Sequence, residues 1–570
     1  MTGQLVFAFF VLSAMAFASP GFSQAQQTEP ESPVETPQDH AAGAGVDAER
    51  PAIERLAPEE RHDVEATATP AQVTPQAEAM KKALLALAAG GNEEERNEHA
   101  ALLSFYETRR FAPLWLDMSG VPTPKATSAM AEIARADDYG LDPRDFTLPA
   151  GLDQRAQTAA ARVGDQKPET VASDEIAISR AVLKYGRFAR GGRIINPSEQ
   201  LSSYLDRRPQ LLKPDVILEG VAASGEPDAY LRGLHPQHAQ FDRLRRKYLA
   251  LRDRSQSAEA KRLLANMEQW RWMPADLGDL YVWNNIPEFM QRVVKNGEVV
   301  RKERIVTGQL DKQTPIFTRT LKKITFKPTW IVPESIKVRE ILPSLQRGGG
   351  MMREWQLELR DKNGQTVDWR RINWYRTDIR IFNVVQENGP KSVMGKVKFS
   401  FPSQHTVFMH DAYPPDKWMF NKARRTYSHG CMRVQNPIGL AEILLKEDKG
   451  LEAAQVREAA RSGRNDNEFE IERRIPIHMT YFTALVDDDG KLHTFPDVYG
   501  HERRITLALE GKWSQISRGK DHLAPVELDM ASAQRRNRYA EDDAADAPPR
   551  VWRSNASFRG GFLDSLFGRW

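Results

Sequence analysis

Cysteine is almost absent from this chain: one thiol, Cys431, in 570 residues. No intramolecular disulfide can form, and with no CxxC or HxxxH pair at ligand spacing a structural zinc site has little to build on. A surplus charge is missing too. Lys and Arg number 80 against 77 Asp and Glu, a net +3, which gives no reason to expect a nucleic-acid partner and allows at most a modest affinity for anionic envelope polymers. Beyond the first 25 residues no run is long and apolar enough for a membrane segment. The length exceeds what one core organises, so two or more domains are expected.

The early apolar run is an address. Leu5 to Ala18 is unbroken apolar or small, and Ser19-Pro20-Gly21 follow, with small-residue cleavage options after Ala18 or Ala25. Met1 to Gln4 carries no Lys or Arg, which departs from the usual signal. Residues 1–25 read as a cleaved secretory signal, with an uncleaved anchor or a buried apolar helix as the alternatives. Export changes the meaning of the lone cysteine. In an oxidising compartment an unpaired thiol serves catalysis or an intermolecular disulfide, or packs as an inert small hydrophobe.

Residues 26–78, rich in Pro, Ala, Glu, Gln and Thr, read as a disordered tether. From 79 to 254 apolar residues recur at helical steps, with helices expected over Asp174–Arg190 and Gln240–Arg252. From Trp270 the rhythm becomes that of strands, including a hairpin of Phe289–Val294 and Val299–Val306 about the turn Lys295-Asn296-Gly297. Ile475–Leu485 and Leu492–Phe495 read as a last hairpin closing that sheet, and 522–570 as a disordered tail. The fold class expected is α+β, a helical domain followed by a mostly β domain over 260–510. An interruption at 334–389, containing Gly348-Gly349-Gly350 and three tryptophans, reads either as a surface excursion with its own small core or as a mobile lid hinged on the glycines.

The chemistry concentrates in Tyr427-Ser428-His429-Gly430-Cys431-Met432-Arg433, with His410 standing 21 residues before the thiol. Thr406–His410 reads as a strand whose end carries His410 toward a cleft, Asp411–Tyr427 as a returning loop, and Asn436-Pro437 as the N-cap and first residue of a helix over Ile438–Leu445. A thiol beside an imidazole is the raw material of a cysteine nucleophile. The bland alternatives are a packed thiol with a hydrogen-bonded core histidine, and a zinc site from His405, His410, His429 and Cys431.

Gly395–Phe399, Val407–Asp411 and Ser428–Arg433, in that order and spacing, closely resemble the catalytic core of L,D-transpeptidases with a YkuD-type domain. Phe105–Trp115, Asp138–Pro143 and Gly233–Tyr248 resemble the helical scaffold of the large multidomain members. Trp270–Pro274, Asn285–Phe289, Thr314–Phe317 and Trp330–Ile336 extend the resemblance through the catalytic part. Unlike many of those members, this chain leaves no room after Arg252–Ser257 for a peptidoglycan-binding module.

The resemblance implies a periplasmic enzyme needing no cofactor. Cys431 would be the nucleophile and His410 the proton acceptor and donor, with His429 as runner-up base. Backbone N–H groups of the His429-Gly430-Cys431 turn would stabilise the oxyanion, Ser428 would orient a histidine, and Arg433 would bind a substrate carboxylate. Donor and acceptor would be peptidoglycan stem peptides, wall-synthesis proteins are admitted as partners, and carbapenems would acylate Cys431. Carboxypeptidase action, transfer to a protein amine, and a non-catalytic wall-binding scaffold stay open.

Overall fold

The computed structural model describes residues 74–528, apart from 153–154, 156–165 and 255. The signal, nearly all of the tether, and the tail beyond 528 lie outside the described residues. Among the described residues no helix is long and apolar enough to cross a membrane.

Helices begin at Pro75, inside the segment read as tether. Thr74 Oγ1 accepts from the Ala77 amide, and Pro75 takes the first helical position, where a missing N–H costs nothing. The helix Glu93–Thr108 opens with a capping box between Asn92 and Glu95. These helices pack around the long helix Pro168–Gly191, whose buried face joins Leu102, Tyr106, Trp115 and Ile133 in one core. The expected helices Asp174–Arg190 and Gln240–Arg252 are found as Pro168–Gly191 and Ala239–Leu249.

Glu175 organises this core from within. Its carboxylate accepts the amides of Leu114, Trp115 and Leu116 and the Tyr106 hydroxyl at 2.5–3.1 Å. A buried charge is tolerable only when so fully bonded. Burial nevertheless raises its pKa, with the four donors pulling the other way.

The β part is an eleven-stranded sheet that folds over on itself. Ten strands follow the order Asn467–Glu470, Lys323–Phe326, Val397–Ser400, Met409–His410, Met432–Val434, Glu298–Gly308, Met290–Lys295, Leu280–Asn285, Pro476–Thr480, Thr318–Thr320, while Thr426–Ser428 pairs beside Glu298–Gly308. Thr318–Thr320 and Lys323–Phe326 are joined by two residues, yet lie at or next to opposite ends of that order. The sheet must therefore curl until its ends meet. The interior is filled by Val282, Ile305, Phe326, Phe399, Met409 and Met432, and by the apolar face of the helix Pro437–Lys449.

The Asn-Gly turn behaves as its sequence dictates. Asn296 and Gly297 both have positive φ, 50° and 82°, the geometry of a tight hairpin turn. Asn436 Oδ1 accepts the Gly439 amide at 3.1 Å, and the helix runs past Leu445 to Lys449 before Gly450 ends it with φ 67°.

Three expectations need correction. Ile475–Leu485 is not one strand of a closing hairpin. Pro476–Thr480 joins the main sheet, but Ala484–Val486 and Leu492–Thr494 form a separate ribbon that docks on the helical part through Gln240, whose side chain bonds both N–H and C=O of Val486. The triple glycine is a tight corner between two short helices: Gly348 and Gly349 have φ 95° and 68°, the Gly349 amide donates to Ser344 O at 2.7 Å, and Trp369 packs against Gly349. The interruption also shares one core with the β part, because Trp355, Leu359 and Trp374 cluster with Val306, Met419 and Phe420. Excising 345–376 would open that core, so it does not isolate a lid.

The third concerns the tail. Residues 522–528 are packed: the His522 ring stacks on Tyr204 at 3.8 Å, and its two nitrogens meet Ser203 Oγ and His405 Nδ1, each at 2.8 Å.

The helix Ala258–Arg271 ties the two parts together. Asn266 Oδ1 accepts the amides of Thr483 and Ala484 and its Nδ2 donates to Thr483 Oγ1, while Glu268 accepts the amides of Arg193 and Ile194. Asn266→Ala should leave two buried amides unsatisfied and cost about 2–3 kcal/mol. Chemical denaturation would read this as a lowered midpoint; an unchanged midpoint would mean that the latch carries no net stability.

Candidate active site

The site begins with a parallel pairing. Met409–His410 runs beside Met432–Val434 with Met409 opposite Met432 and His410 opposite Arg433, and the Met432 amide donates to Phe408 O at 2.9 Å. His410 thus ends one strand while Cys431 stands just before the next, and both line one cavity of about 370 Å³.

The imidazole is fixed by its backbone. His410 Nδ1 lies 2.5 Å from Asp411 O, and a carbonyl can only accept, so Nδ1 carries the proton and Nε2 keeps its lone pair. Asp411 holds the strand end in turn, its carboxylate accepting the amides of Ala412 and Lys396. Gly395 lies against that carboxylate with φ 62°, where a Cβ would collide with Asp411, which accounts for the glycine that opens the motif.

The Cys431 loop is braced from below. Ser428 Oγ donates to Cys431 O at 2.5 Å and accepts the Gly430 amide at 3.2 Å. Thr314 Oγ1 donates to Gly430 O at 2.8 Å, and Tyr499 OH donates to Gly308 O at 2.6 Å beneath it. Gly430 has φ 107°, a backbone conformation that side chains avoid. Ser428 therefore shapes the loop, and among the described residues its hydroxyl bonds Cys431 O and the Gly430 amide where a histidine ring was the expected partner. The Gly430 amide, expected among the oxyanion donors, is turned toward Ser428.

His429 and Arg433 both have partners. His429 Nε2 meets Glu340 at 2.7 Å and Lys312 Nζ at 2.5 Å, and Lys312 reaches Glu340 at 3.1 Å. Burial would raise the Glu340 carboxyl, but the bond from His429 and the nearby Lys312 charge outweigh it and hold its pKa low. Arg433, expected to take a substrate carboxylate, is buried with Nη1 3.2 Å from Asp416. Burial lowers its pKa to about 10 against the pull of Asp416.

Glu340 arrives by a route invisible in the sequence. Lys337–Ile341 is a π turn within the continuous helical stretch Glu334–Gln346, just before Pro343. Proline lacks the N–H that would bond the Arg339 carbonyl and its ring crowds that carbonyl, so the helix widens there. Glu340 and Ile336 wall the cavity on one side, and His522–Val526 on another.

The four side chains of the zinc reading are divided: His405 bonds Asp206 and His522, and His429 bonds Glu340. Among the described residues no group of three or more His, Cys, Asp or Glu is arranged to hold a metal ion.

Electrostatically the pair rests neutral. Burial raises the Cys431 thiol, opposed by the Phe408 backbone and by the charges of Arg433 and Lys398. Burial, aided by Arg433, lowers His410 to about 3. At neutral pH a protonated thiol and a neutral imidazole therefore share one cavity, the protonation states from which proton removal would accompany attack.

Residues 279–451 match the YkuD family, described as the L,D-transpeptidase catalytic domain, and residues 100–247 match the Scaffold domain family. In both parts the chain matches the multidomain YkuD-type L,D-transpeptidase family. A Haemophilus influenzae protein named "Putative L,D-transpeptidase" is 24% identical over 426 residues, spanning 73% of this chain and 81% of its own length. Among solved structures, an L,D-transpeptidase from Mycobacterium smegmatis is 15% identical over 35% of this chain and 58% of its own, with a TM-score of 0.18. The Ldtfm–avibactam carbamoyl enzyme is 13% identical over 36% and 50%, with a TM-score of 0.17. The chain spans 58% and 50% of the length of these two, and at such scores neither likeness carries weight.

The pH profile tests the neutral pair. A base at its ordinary value would lose activity below pH 6.5, whereas His410 stays unprotonated until about pH 3. The acid limb of kcat/KM, measured where circular dichroism reports folded protein, should fall far below 6.5; a limb centred at 6.5 would mean that His410 is not so buried.

Proposed function

We propose that this chain is a peptidoglycan L,D-transpeptidase with Cys431 as nucleophile and His410 as base and acid. The observation carrying this reading is the lone thiol and an imidazole with its Nδ1–H tied to Asp411 O, both lining one cavity of a YkuD-type domain.

As His410 Nε2 takes the proton, Cys431 Sγ attacks the carbonyl of the third residue in a tetrapeptide stem. The tetrahedral oxyanion forms under backbone N–H groups of the nucleophile turn. With the Gly430 amide turned to Ser428, the Cys431 amide is the donor we assign. Collapse breaks the C–N bond, the imidazolium returns its proton to the departing D-Ala amine, and a thioester is left on Cys431. A side-chain amine of a second stem, deprotonated by His410, then attacks the thioester; the new amide is a 3-3 cross-link and the thiol is restored. Water in place of that amine gives carboxypeptidase action, and a protein amine gives protein anchoring.

Buried positive charge favours the negative steps. Arg433 and Lys398 both act on the Cys431 thiol, and each is held below its ordinary pKa by burial. Such charges are fixed before reaction and gain most as thiolate and oxyanion develop. A carbapenem presents a strained amide to the same thiol and should leave a stable acyl-enzyme. The exported, periplasmic setting belongs to this proposal, as do stem peptides and wall-synthesis proteins as partners.

Purified protein incubated with tetrapeptide muropeptides, and followed by liquid chromatography with mass spectrometry, should release D-Ala and form a dimer joined at third residues. Cys431→Ala should abolish both, and His410→Gln should slow release by about 10²–10⁴-fold. Tripeptide without dimer would favour the carboxypeptidase reading. Release that survives in Cys431→Ala would remove the cysteine mechanism, and no release from the unaltered chain would favour a non-catalytic, wall-binding role.

A further inference from the structure

A second cavity, of about 400 Å³, lies where the helical part meets the sheet, lined by Asp206, Arg207, Arg208, Trp272, Thr318 and Arg319, with Gln404 at its edge. Gln404 also lines the Cys431 cavity, and the Asp206–His405 hydrogen bond of 2.9 Å stands between the two. The second cavity therefore adjoins the Cys431 cavity.

Its charge does not balance. Three guanidinium groups face one carboxylate, and that carboxylate is already shared: Asp206 accepts from Arg319 at 2.6 Å and from His405. Arg207 is the telling member. It is 6% exposed, and its donors go only to neutral acceptors, Thr318 Oγ1 and Met479 O, both at 2.5 Å. Among the described residues no carboxylate oxygen comes within 4.0 Å of it. Burial lowers its pKa to about 9, with Asp206 opposing and Arg319 adding to the fall. Arg208, on the rim, is exposed and has no ion-pair partner among the described residues.

A buried cation without a counter-ion is costly, and proteins pair such charges or neutralise them. Two remote neutral acceptors orient the Arg207 fork without cancelling its charge. The cost is offset when an anion enters the cavity, and arginine's planar fork suits a carboxylate. The adjoining site, on the reading proposed above, handles peptides that carry several carboxylates.

We infer that Arg207, Arg208 and Arg319 form an anion subsite that holds a carboxylate of the stem peptide while another part of that peptide lies at Cys431. The inference rests on the transpeptidase reading for its ligand and on the cavity's unbalanced charge for its existence. It also supplies a grip on the wall polymer in a chain whose scaffold leads directly into the catalytic domain.

The test uses the full chain and two probes: the tetrapeptide stem as free acid, and the same peptide with its carboxylates amidated. Calorimetry on the Cys431→Ala protein should find the free acid bound about tenfold tighter than the amide, and Arg208→Glu should remove that preference. Because Arg208 is exposed the variant should fold; Arg319→Gln is a second probe, since Arg207 substitutions would disturb buried bonds. With Cys431 intact, Arg208→Glu should raise KM by more than it lowers kcat. Equal binding of both probes, or an affinity unmoved by Arg208→Glu, overturns the subsite. If D-Ala release depends on Cys431 while KM ignores both changes, the enzyme reading stands and the subsite falls. If no release occurs but the acid is still preferred through Arg208, the subsite stands and the enzyme reading falls.

Discussion

The parallel ladder between Met409–His410 and Met432–Val434 is only two residue pairs long, yet the chemistry of the chain hangs on it. So short a ladder cannot hold by its own hydrogen bonds, and here it has help from both sides. Val397–Ser400 pairs antiparallel with one strand, Glu298–Gly308 with the other, and Met409 and Met432 point into the core of the curled sheet. Because side chains alternate along a strand, burying Met409 and Met432 fixes which way their neighbours face. Register, and with it the meeting of His410 and Cys431 at one cavity, follows from core packing.

Putting that meeting indoors has an electrostatic consequence. Desolvation is the largest influence on both groups and pushes their pKa values in opposite directions, toward a neutral thiol and a neutral imidazole. A resting thiolate–imidazolium pair would need the reverse shifts. The site thus keeps the thiol protonated at rest, and a protonated thiol is less nucleophilic and slower to oxidise than a standing thiolate. Arg433 and Lys398 do not overcome desolvation at rest. Their field matters once charge develops beside them.

How much of this could be read from the residues varies with sequence distance. The Cys431 segment, His410, the Asn-Gly turn and the Asn436-Pro437 helix start are local patterns, and each lies where its own neighbours dictate. Ser428 was legible as important but not for what it does, since its hydroxyl meets the Cys431 carbonyl only after Gly430 adopts its left-handed turn. Glu340 depends on a helix widened before Pro343, and Tyr499 reaches Gly308 across 191 residues. Those contacts leave no spacing signal. The place of the final hairpin is not legible in the sequence, because periodicity reports that a strand is half-buried and says nothing of what covers it; the Asn266 and Gln240 side chains decide that.

The same two side chains bear on why a helical domain precedes this catalytic sheet at all. Asn266, Gln240 and Glu268 satisfy backbone groups on opposite sides of one junction, so the scaffold is bonded to the sheet at several points and does not hang from a linker. Rigid attachment makes it possible for residues of the helical part to build a wall of the catalytic neighbourhood. Asp206 does so through His405, and Ser203 and Tyr204 do so by seating His522, the first residue of the segment that borders the cavity. A group on a flexible arm would have to be ordered anew at each binding event, at an entropic cost that a pre-positioned group avoids. Three arginines beside a single shared carboxylate are held at that junction, so the charge imbalance on which the proposed anion subsite rests is pre-positioned by the fold.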